Sequence, residues 1–179
     1  MEEGSVEVTW LPYELHPEVP PEGVSREDYF PAHVLSRIDA APWAAVAEAE
    51  GLVMKRGGRL INTRLALSAA EFAREKGSYP AMHLALFRAF WEQTGDISTI
   101  AGLKSIASEV GLDPDAMAAE LEAGRYQDLL DANRQEATQV GINGIPAHVF
   151  GLRYLVMGAQ PFEVLKQVAD KVAGELASG

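Results

Sequence analysis

The side chains that could carry out chemistry are sparse in this sequence and follow no catalytic spacing. The four histidines, His16, His33, His83 and His148, are dispersed, and none lies four residues from another. This spacing lacks the paired helical ligands typical of a zinc site. The 179 residues include no cysteine, so the chain supplies no thiolate for nucleophilic attack or disulfide exchange. We therefore assign no catalytic residue and no metal ligand from the sequence.

One segment nevertheless predicts a shaped loop beside a sheet. Residues 141–150, GINGIPAHVF, place two glycines and Pro146 in a turn that leads directly into an apolar strand. His148 lies in that predicted strand, two residues after Pro146, and could point into a groove next to the turn. The loop is a candidate binding element rather than a catalytic one.

A second candidate is a basic spot in an otherwise acidic chain. Lys55, Arg56, Arg59 and Arg64 lie close together in the sequence, while the chain as a whole carries a net charge of −11. These side chains could meet an anionic ligand, such as the carboxylates of glutathione, or simply balance the local charge. The overall acidity argues against binding to nucleic acid or to anionic membranes.

The sequence also gives expectations about location. It contains no apolar run of 18 residues, so no membrane-spanning helix is predicted. The first ten residues, MEEGSVEVTW, lack the basic and apolar regions of a signal peptide. We expect a cytoplasmic protein, although a mature chain whose signal had been removed would look similar.

The elements that position these residues follow from hydrophobic periodicity. Val6, Val8 and Trp10 alternate with polar residues, which predicts a strand over residues 6–11. A helical block follows, interrupted near Pro42. AHVF (147–150) and YLVM (154–157) predict an antiparallel hairpin, and a last helix follows Pro161. We therefore expect a single domain over residues 1–179, whose sheet is interrupted by a helical insertion at 24–140.

Two local patterns inside the block make sharper predictions. Asp113 and Pro114 are typical of a helix N-cap and first helical position. The segment KRGGRLIN (55–62) is predicted to be a loop. In the helix that begins near Pro80, one face should form part of the core: His83, Leu86, Phe87, Phe90 and Trp91.

Three segments resemble the DsbA-like branch of the thioredoxin-fold superfamily. They are VEVTWLPYELHPEVPPEG (6–23), GDIS with the helix after it (from 95), and GINGIPAHVFGLRYLVMGAQP (141–161). The third segment resembles the family's cis-proline loop, hairpin and entry to the last helix. The closest resemblance is to FrnE-type proteins, which neighbour 2-hydroxychromene-2-carboxylate isomerases and kappa-class glutathione transferases.

The resemblance implies an α/β, thioredoxin-like (DsbA-type) fold with a large helical insertion and an N-terminally incomplete sheet. In the family, a strand and a Cys-x-x-Cys segment precede the strand that 6–11 resembles, and this chain starts at that strand. The resemblance therefore implies a thiol-disulfide oxidoreductase family, but we expect no dithiol exchange from a chain without cysteine. In the family, the residue before the cis-proline, here Ile145, pairs its backbone with an extended substrate.

Other expectations stay open at this stage. A glutathione-dependent isomerase or transferase is the alternative function, with glutathione as its cofactor; under the main interpretation no cofactor is expected. A truncated product without separate activity is a third possibility. The gap in the sheet predicts a homodimer through exposed strand edges, or binding of an extended peptide or protein partner at the Ile145–Pro146 loop.

Overall fold

The computed structural model of the protein describes residues 6–55 and 57–178, and the chain divides into two compact units. The first, here called the helical unit, comprises residues 16–131. The second, the hairpin unit, comprises residues 6–15 and 132–178. The assignment of residues 1–179 to one domain with an insertion at 24–140 stays a prediction.

The helical unit contains two short strands and seven helices among its described residues, and an eighth helix continues from it into the hairpin unit. In chain order these elements are β1 Val24–Ser25, α1 Arg26–Tyr29, α2 Ala32–Ala40, α3 Trp43–Ala49, β2 Arg59–Leu60, α4 Arg64–Glu75, α5 Tyr79–Trp91, α6 Ile100–Glu109, α7 Pro114–Glu122 and α8 Gln127–Gln139. The first two strands pair in antiparallel fashion.

Local sequence chemistry accounts for several helix boundaries. The Asp113 carboxylate accepts hydrogen bonds from the N–H groups of Asp115 and Ala116, and Pro114 opens α7, which confirms the predicted N-cap. The predicted interruption near Pro42 is also confirmed, since Pro42 lies between α2 and α3. The segment predicted as a loop over 55–62 is partly wrong, because Arg59 and Leu60 form β2.

A core of small and large apolar side chains holds the helical unit together. Ala69 and Ala73 on α4 are fully buried, as are Met82 on α5, Leu103 on α6 and Met117 on α7. Alanine lets neighbouring helices approach closely, and the longer side chains of those helices fill the remaining space. Burial of this set makes the helical unit the main source of hydrophobic stabilisation.

The predicted buried face of α5 is wrong in phase. The structure buries Met82, Leu86 and Ala89, whereas Phe87 is 53% exposed and Phe90 also lies at the surface. Both stripes satisfy helical spacing, so periodicity alone cannot choose between them. The alanine-rich surface of α4 favours the stripe with the smaller residues, because a phenylalanine there would hold the two helices apart.

The hairpin unit contains β3 Ala147–Phe150, β4 Tyr154–Met157 and α9 Phe162–Ser178. The strands pair in antiparallel fashion, with Ala147 opposite Met157 and Phe150 opposite Tyr154, which confirms the predicted hairpin. Across the part of the chain that the structure describes, no helix has the length and apolar character needed to cross a bilayer.

The strand predicted over residues 6–11 is wrong for the described structure. This segment forms no strand, and its apolar side chains are exposed. The alternation is real, but a strand is stabilised by pairing with a neighbour, and the only described strand pairs are β1 with β2 and β3 with β4. The segment therefore has a strand sequence without a strand partner.

Candidate functional site

The end of α8 directs the chain into the loop that precedes β3. Gly141 has a φ of 86°, a conformation that glycine adopts at low cost. Its N–H donates to the carbonyl oxygen of Thr138 at 3.1 Å, and the N–H of Ile142 donates to that of Ala137 at 2.8 Å. These bonds end the helix and fix the direction in which the loop leaves it.

The loop presents Ile145 and Pro146 at the surface. The peptide bond between them is cis, and both residues are exposed, with Ile145 54% exposed. The Pro146 carbonyl oxygen accepts a hydrogen bond from the N–H of Gly158 at 2.8 Å. This bond joins the loop to the residue after β4, so the hairpin holds Pro146 in place while Ile145 stays accessible.

The pairing register shows which backbone groups of β3 are available. Pro146 and Gly158 form a hydrogen-bonded pair, and in an antiparallel ladder such pairs alternate with pairs that exchange no hydrogen bonds. The next hydrogen-bonded pair is therefore His148 with Val156. It follows that the N–H and C=O groups of Ala147 point away from β4, and so do those of Val149. Among the described residues, no strand pairs with this second edge of β3.

One face of the hairpin is covered by α9. The Tyr154 hydroxyl donates to Glu175 at 2.7 Å, and the ammonium of Lys171 lies 4.4 Å from the centre of the Tyr154 ring. At the turn, a Cβ built on Gly151 would lie only 2.6 Å from Val172, so the strand connection needs glycine to approach α9 this closely.

The opposite face of the hairpin is apolar and open. Residues paired across a sheet share a face, so Val149 and Leu155 project together, on the side away from Tyr154. Val149 is 48% exposed and Leu155 38% exposed. Ala147 and Met157, the adjacent pair, lie on this same face. The candidate site thus combines an open backbone edge, an apolar strip and the exposed Ile145–Pro146 loop.

His148 belongs to the other face of the hairpin. Alternation along β3 places it on the Tyr154 side, and its ring lies nearly parallel to that of Phe150, with centroids 6.4 Å apart. Its Nδ1 is buried and has no hydrogen-bond partner among the described residues. Within the hairpin, His148 is thus on the opposite face from Val149.

The other histidines stay apart and have separate surroundings. The Nδ1 of His16 lies 2.9 Å from the Tyr29 hydroxyl. His83 stacks between Tyr79 and Phe87 on α5, where burial, assisted by the nearby Arg74 charge, lowers its pKa. Over residues 6–55 and 57–178, no group of three or more potential ligands from His, Cys, Asp or Glu is placed to hold a metal ion.

The described members of the predicted basic spot have separate structural partners. The Lys55 ammonium donates to the carbonyl oxygen of Glu92 at 2.8 Å. Arg59 donates to the carbonyl oxygen of Glu22 at 2.8 Å, and Arg64 to the carboxylate of Asp131 at 2.7 Å. Arg56 lies outside the described residues. These bonds give the three cations separate partners, of which the Asp131 carboxylate is charged, rather than one shared anion site.

In this chain, a hairpin follows a proline loop and is covered on one face by the last helix, and a large helical unit precedes the loop. This arrangement is that of thioredoxin-like proteins. Within that class, the chain belongs to the family of DSBA-like thioredoxin domains, whose model matches residues 2–169. The fold class predicted from the sequence is thereby confirmed.

Similar proteins agree with this assignment. The chain is similar to the crystal structure of a probable DsbA oxidoreductase from Streptomyces coelicolor, with 27% identity and a TM-score of 0.79 over 91% of this chain and 74% of that one. A putative protein disulfide isomerase from Nitrosomonas europaea shares the fold at 22% identity, with a TM-score of 0.64 over 86% and 77% of the two chains. The uncharacterized protein YwbO of Bacillus subtilis (strain 168) is 27% identical over 151 residues, which cover 82% of this chain and 72% of YwbO.

Sequence reasoning identified Ile145 and Pro146 but missed Ala147 and Val149. The two missed residues matter through their backbone groups, whose direction depends on the register of the hairpin rather than on residue type. The available signal was position: Ala147 and Val149 lie one and three residues after Pro146, so alternation along the strand places their backbone groups on the same side. Only the Gly158–Pro146 bond shows which set faces the open edge.

Proposed function

We propose that this chain binds an extended peptide segment at the open edge of β3, beside Ile145 and Pro146, and does not itself exchange disulfides. The proposal rests on one observation: the N–H and C=O groups of Ala147 and Val149 point away from β4, beside the exposed loop. An extended segment can add to such an edge through main-chain hydrogen bonds. Within the family, we place the chain with the FrnE-type branch, on the three segments that resemble it.

The apolar strip sets the kind of peptide that fits. Side chains of an added strand alternate between the two faces of the enlarged sheet. Those on the outer side would continue the strip formed by Val149 and Leu155, so apolar residues at alternate positions are favoured. The proposed ligand is therefore an extended segment with valine-like residues at every second position, and it needs no cysteine.

Dithiol exchange requires one thiolate to attack and a second thiol to resolve the mixed disulfide. The name of the similar Streptomyces coelicolor structure describes an oxidoreductase, but the 179 residues of this chain contain neither thiol. In an insulin-reduction assay, we expect this chain to match the buffer control. Turnover above that control, proportional to chain concentration, would contradict the proposed loss of exchange activity.

Binding is best tested at the backbone of Val149. Replacement by proline, Val149→Pro, removes an N–H that points to the open edge and leaves the ladder with β4 intact. The matched control, Val149→Thr, keeps the N–H and the branched shape. The probe is a fluorescently labelled hexapeptide with valine at alternate positions, and anisotropy reports its binding. We expect the proline variant to weaken binding about tenfold and the threonine variant to change it less than about threefold.

A ligand-side experiment keeps the test independent of variant folding. The same hexapeptide is N-methylated at alternate residues, either along the edge that would pair with β3 or along the other edge. Methylation of one edge should abolish binding, while methylation of the other should leave it nearly unchanged. Equal binding by both peptides would overturn strand addition as the mode of recognition.

A further inference from the structure

Residues 6–11 of the hairpin unit, VEVTWL, are a strand sequence that forms no strand in the structure. Val6 and Val8 are each 63% exposed, and Trp10 is 54% exposed. In an extended chain these three side chains share one face, while Glu7 and Thr9 share the other. Water therefore contacts an apolar stripe that a neighbouring sheet would cover.

The open edge of β3 lacks two of the usual protections against pairing with another chain, a charged side chain and a proline within the strand. Natural proteins block exposed edges with charged residues, with proline or with bulges. The strands AHVF (147–150) and YLVM (154–157) contain no charged residue and no proline. The same compact unit thus contains a strand edge with no neighbouring strand and a segment with a strand sequence that lies in no sheet.

We propose that two copies of this chain exchange residues 6–11, each segment adding as a strand to the open edge of β3 in the other copy. The inference rests on the proposed function, because it uses the edge assigned to peptide binding and names its occupant. Two reciprocal contacts related by a two-fold axis use both segments and the open β3 edges of both copies, so the exchange closes at a dimer.

The faces of the two elements are compatible. An added strand that turns Val6 and Val8 toward the outer face would extend the apolar strip of Val149 and Leu155. Glu7 would then lie on the side of α9. Because residues 6–11 are longer than β3, the added strand can also pass Ile145, whose exposed side chain would be covered.

The exchanged contact occurs twice in the dimer. Each contact removes from water the paired backbone of residues 6–11 and β3, together with the parts of Val6, Val8, Ile145 and Val149 that meet across the new strand pair. Because the contact is reciprocal, its buried area counts twice toward the value of about 1,200 Å² at which stable specific interfaces begin. A consequence is regulation: the dimer and a bound peptide compete for β3.

The first test measures the mass of the full 179-residue chain by sedimentation equilibrium over a dilution series. We expect twice the chain mass of 19.3 kDa at micromolar concentration. Val8→Asp places a charge on the apolar stripe and should raise the dimer dissociation constant about tenfold or more. Thr9→Asp adds the same charge to the opposite face and should change it less than about threefold. A monomer at all concentrations would overturn the proposal.

The second test uses the absence of natural cysteine. Equimolar Val8→Cys and Val149→Cys chains are mixed and oxidised, and should form a covalent product of twice the chain mass. The matched pair, Thr9→Cys with Val149→Cys, should cross-link far less, because the residue 9 side chain points to the other face. Equal cross-linking by both pairs would contradict the strand arrangement.

The outcomes separate this inference from the proposed function. A monomeric chain that still binds the labelled hexapeptide, with Val149→Pro weakening it, would overturn the exchange and leave peptide binding standing. A dimer that Val149→Pro leaves unchanged would overturn the exchange, whatever the peptide does. If the exchange is correct, a synthetic peptide of residues 6–11 dissociates the dimer in proportion to its concentration.

Discussion

The helical unit and the hairpin unit differ in how many of their apolar side chains are buried. Every buried hydrophobic residue of the described chain lies within residues 16–131, with the single exception of Val172 on α9. Large apolar side chains are exposed in both units, including Phe87 in the helical unit and Val6 and Leu152 in the hairpin unit. The contrast is therefore that hydrophobic burial, with the stabilisation it gives, is concentrated in the helical unit.

The difference has a physical origin in the elements themselves. Several helices in the helical unit can surround a common core, so α4 presents Ala69 and Ala73 to α5 and α7 at full burial. A two-stranded hairpin has two faces and two outer edges, and one helix covers only one face. The other face of β3 and β4 carries apolar side chains and stays exposed, because no second helix among the described residues of the hairpin unit covers it.

The largest difference in stability between the two units is expected from truncation of a leucine. Leu103→Ala removes a side chain with no solvent exposure from α6, and we expect a loss of about 3–5 kcal/mol in unfolding free energy. The matched change Leu176→Ala, on α9 of the hairpin unit, removes an exposed side chain and should cost less than about 1 kcal/mol. Urea denaturation monitored by circular dichroism measures both. Similar losses would mean that the two units do not differ in packing.

The next largest difference between the units is expected in the unfolding free energy lost when an ion pair is broken. Glu71 in the helical unit is buried and pairs with Arg74 at 2.8 Å. Arg74→Met leaves that carboxylate without its cation and should cost about 2–4 kcal/mol, because an uncompensated buried charge is expensive. The counterpart in the hairpin unit, Arg153 with Glu175 at 3.5 Å, is solvent-accessible, so Arg153→Met should cost less than about 0.5 kcal/mol.

A second substitution checks the cause of the Arg74 effect. If the loss arises from the stranded carboxylate, adding Glu71→Gln to Arg74→Met should recover a large part of it. Denaturation of the single and double variants gives the coupling between the two positions. Additive losses, with no recovery, would show that Arg74 acts through its contact with the Tyr79 ring instead, where its guanidinium lies 3.8 Å from the centroid.

Local chemistry in the sequence was enough to predict part of this contrast. Asp113 before Pro114 specifies a helix start without reference to the rest of the chain, and the loop before Pro146 specifies a turn into a strand. Such features depend on a few adjacent residues, so the sequence determines them. The fold class, in contrast, was predicted from the resemblance of three segments to the DsbA-like family.

Features that depend on distant partners were not accessible from the sequence. The alternation over residues 6–11 predicts an extended segment, but whether it pairs depends on a neighbouring strand that these six residues do not specify. The choice between the Met82 and Phe87 stripes of α5 depends on the alanines of α4. The open backbone groups of Val149 depend on hairpin register. Each of these is set by tertiary packing, on which residue types give little information.

A buried tyrosine, Tyr126, should make the stability of the helical unit depend on pH above about pH 10. Burial, together with the hydrogen bond to Glu75 at 3.1 Å, raises the pKa of Tyr126 to about 12. Tyr126→Phe removes the hydroxyl and should cost about 1–2 kcal/mol at pH 7. Chemical denaturation gives this value. Tyr154→Phe in the hairpin unit removes a hydroxyl from a less buried ring, so its loss of unfolding free energy should be smaller.

The pH dependence of the Tyr126 effect has a definite sign. The folded-state pKa lies above the unfolded value of about 10, so the neutral hydroxyl stabilises the fold fully below pH 10. That contribution is lost as the pH rises from about 10 to about 12. The stability difference between wild type and Tyr126→Phe should therefore shrink across this window. A difference that stays constant to pH 12 would contradict the raised pKa.

The smallest expected effect is a gain in stability at the tip of the hairpin unit. The turn between β3 and β4 closes with the N–H of Arg153 donating to the carbonyl oxygen of Phe150 at 3.0 Å, and both central residues have a φ of 56°. Positive φ at both positions favours glycine or asparagine. The second position is instead Leu152, which is 95% exposed and gains almost nothing from burial.

Leu152→Gly should therefore stabilise the protein by about 0.5–1 kcal/mol, because glycine adopts this conformation without the steric cost that leucine bears. Leu152→Ala is the matched control: it removes the same exposed side chain but keeps a Cβ at positive φ, so its effect should be near zero. Thermal unfolding resolves the two if hairpin and helices unfold together. Equal gains from both variants would attribute the effect to the lost leucine surface and not to the backbone. A gain from glycine alone would show that the hairpin unit keeps an exposed apolar residue at a conformational cost, whereas core residues such as Leu103 are retained because they are buried.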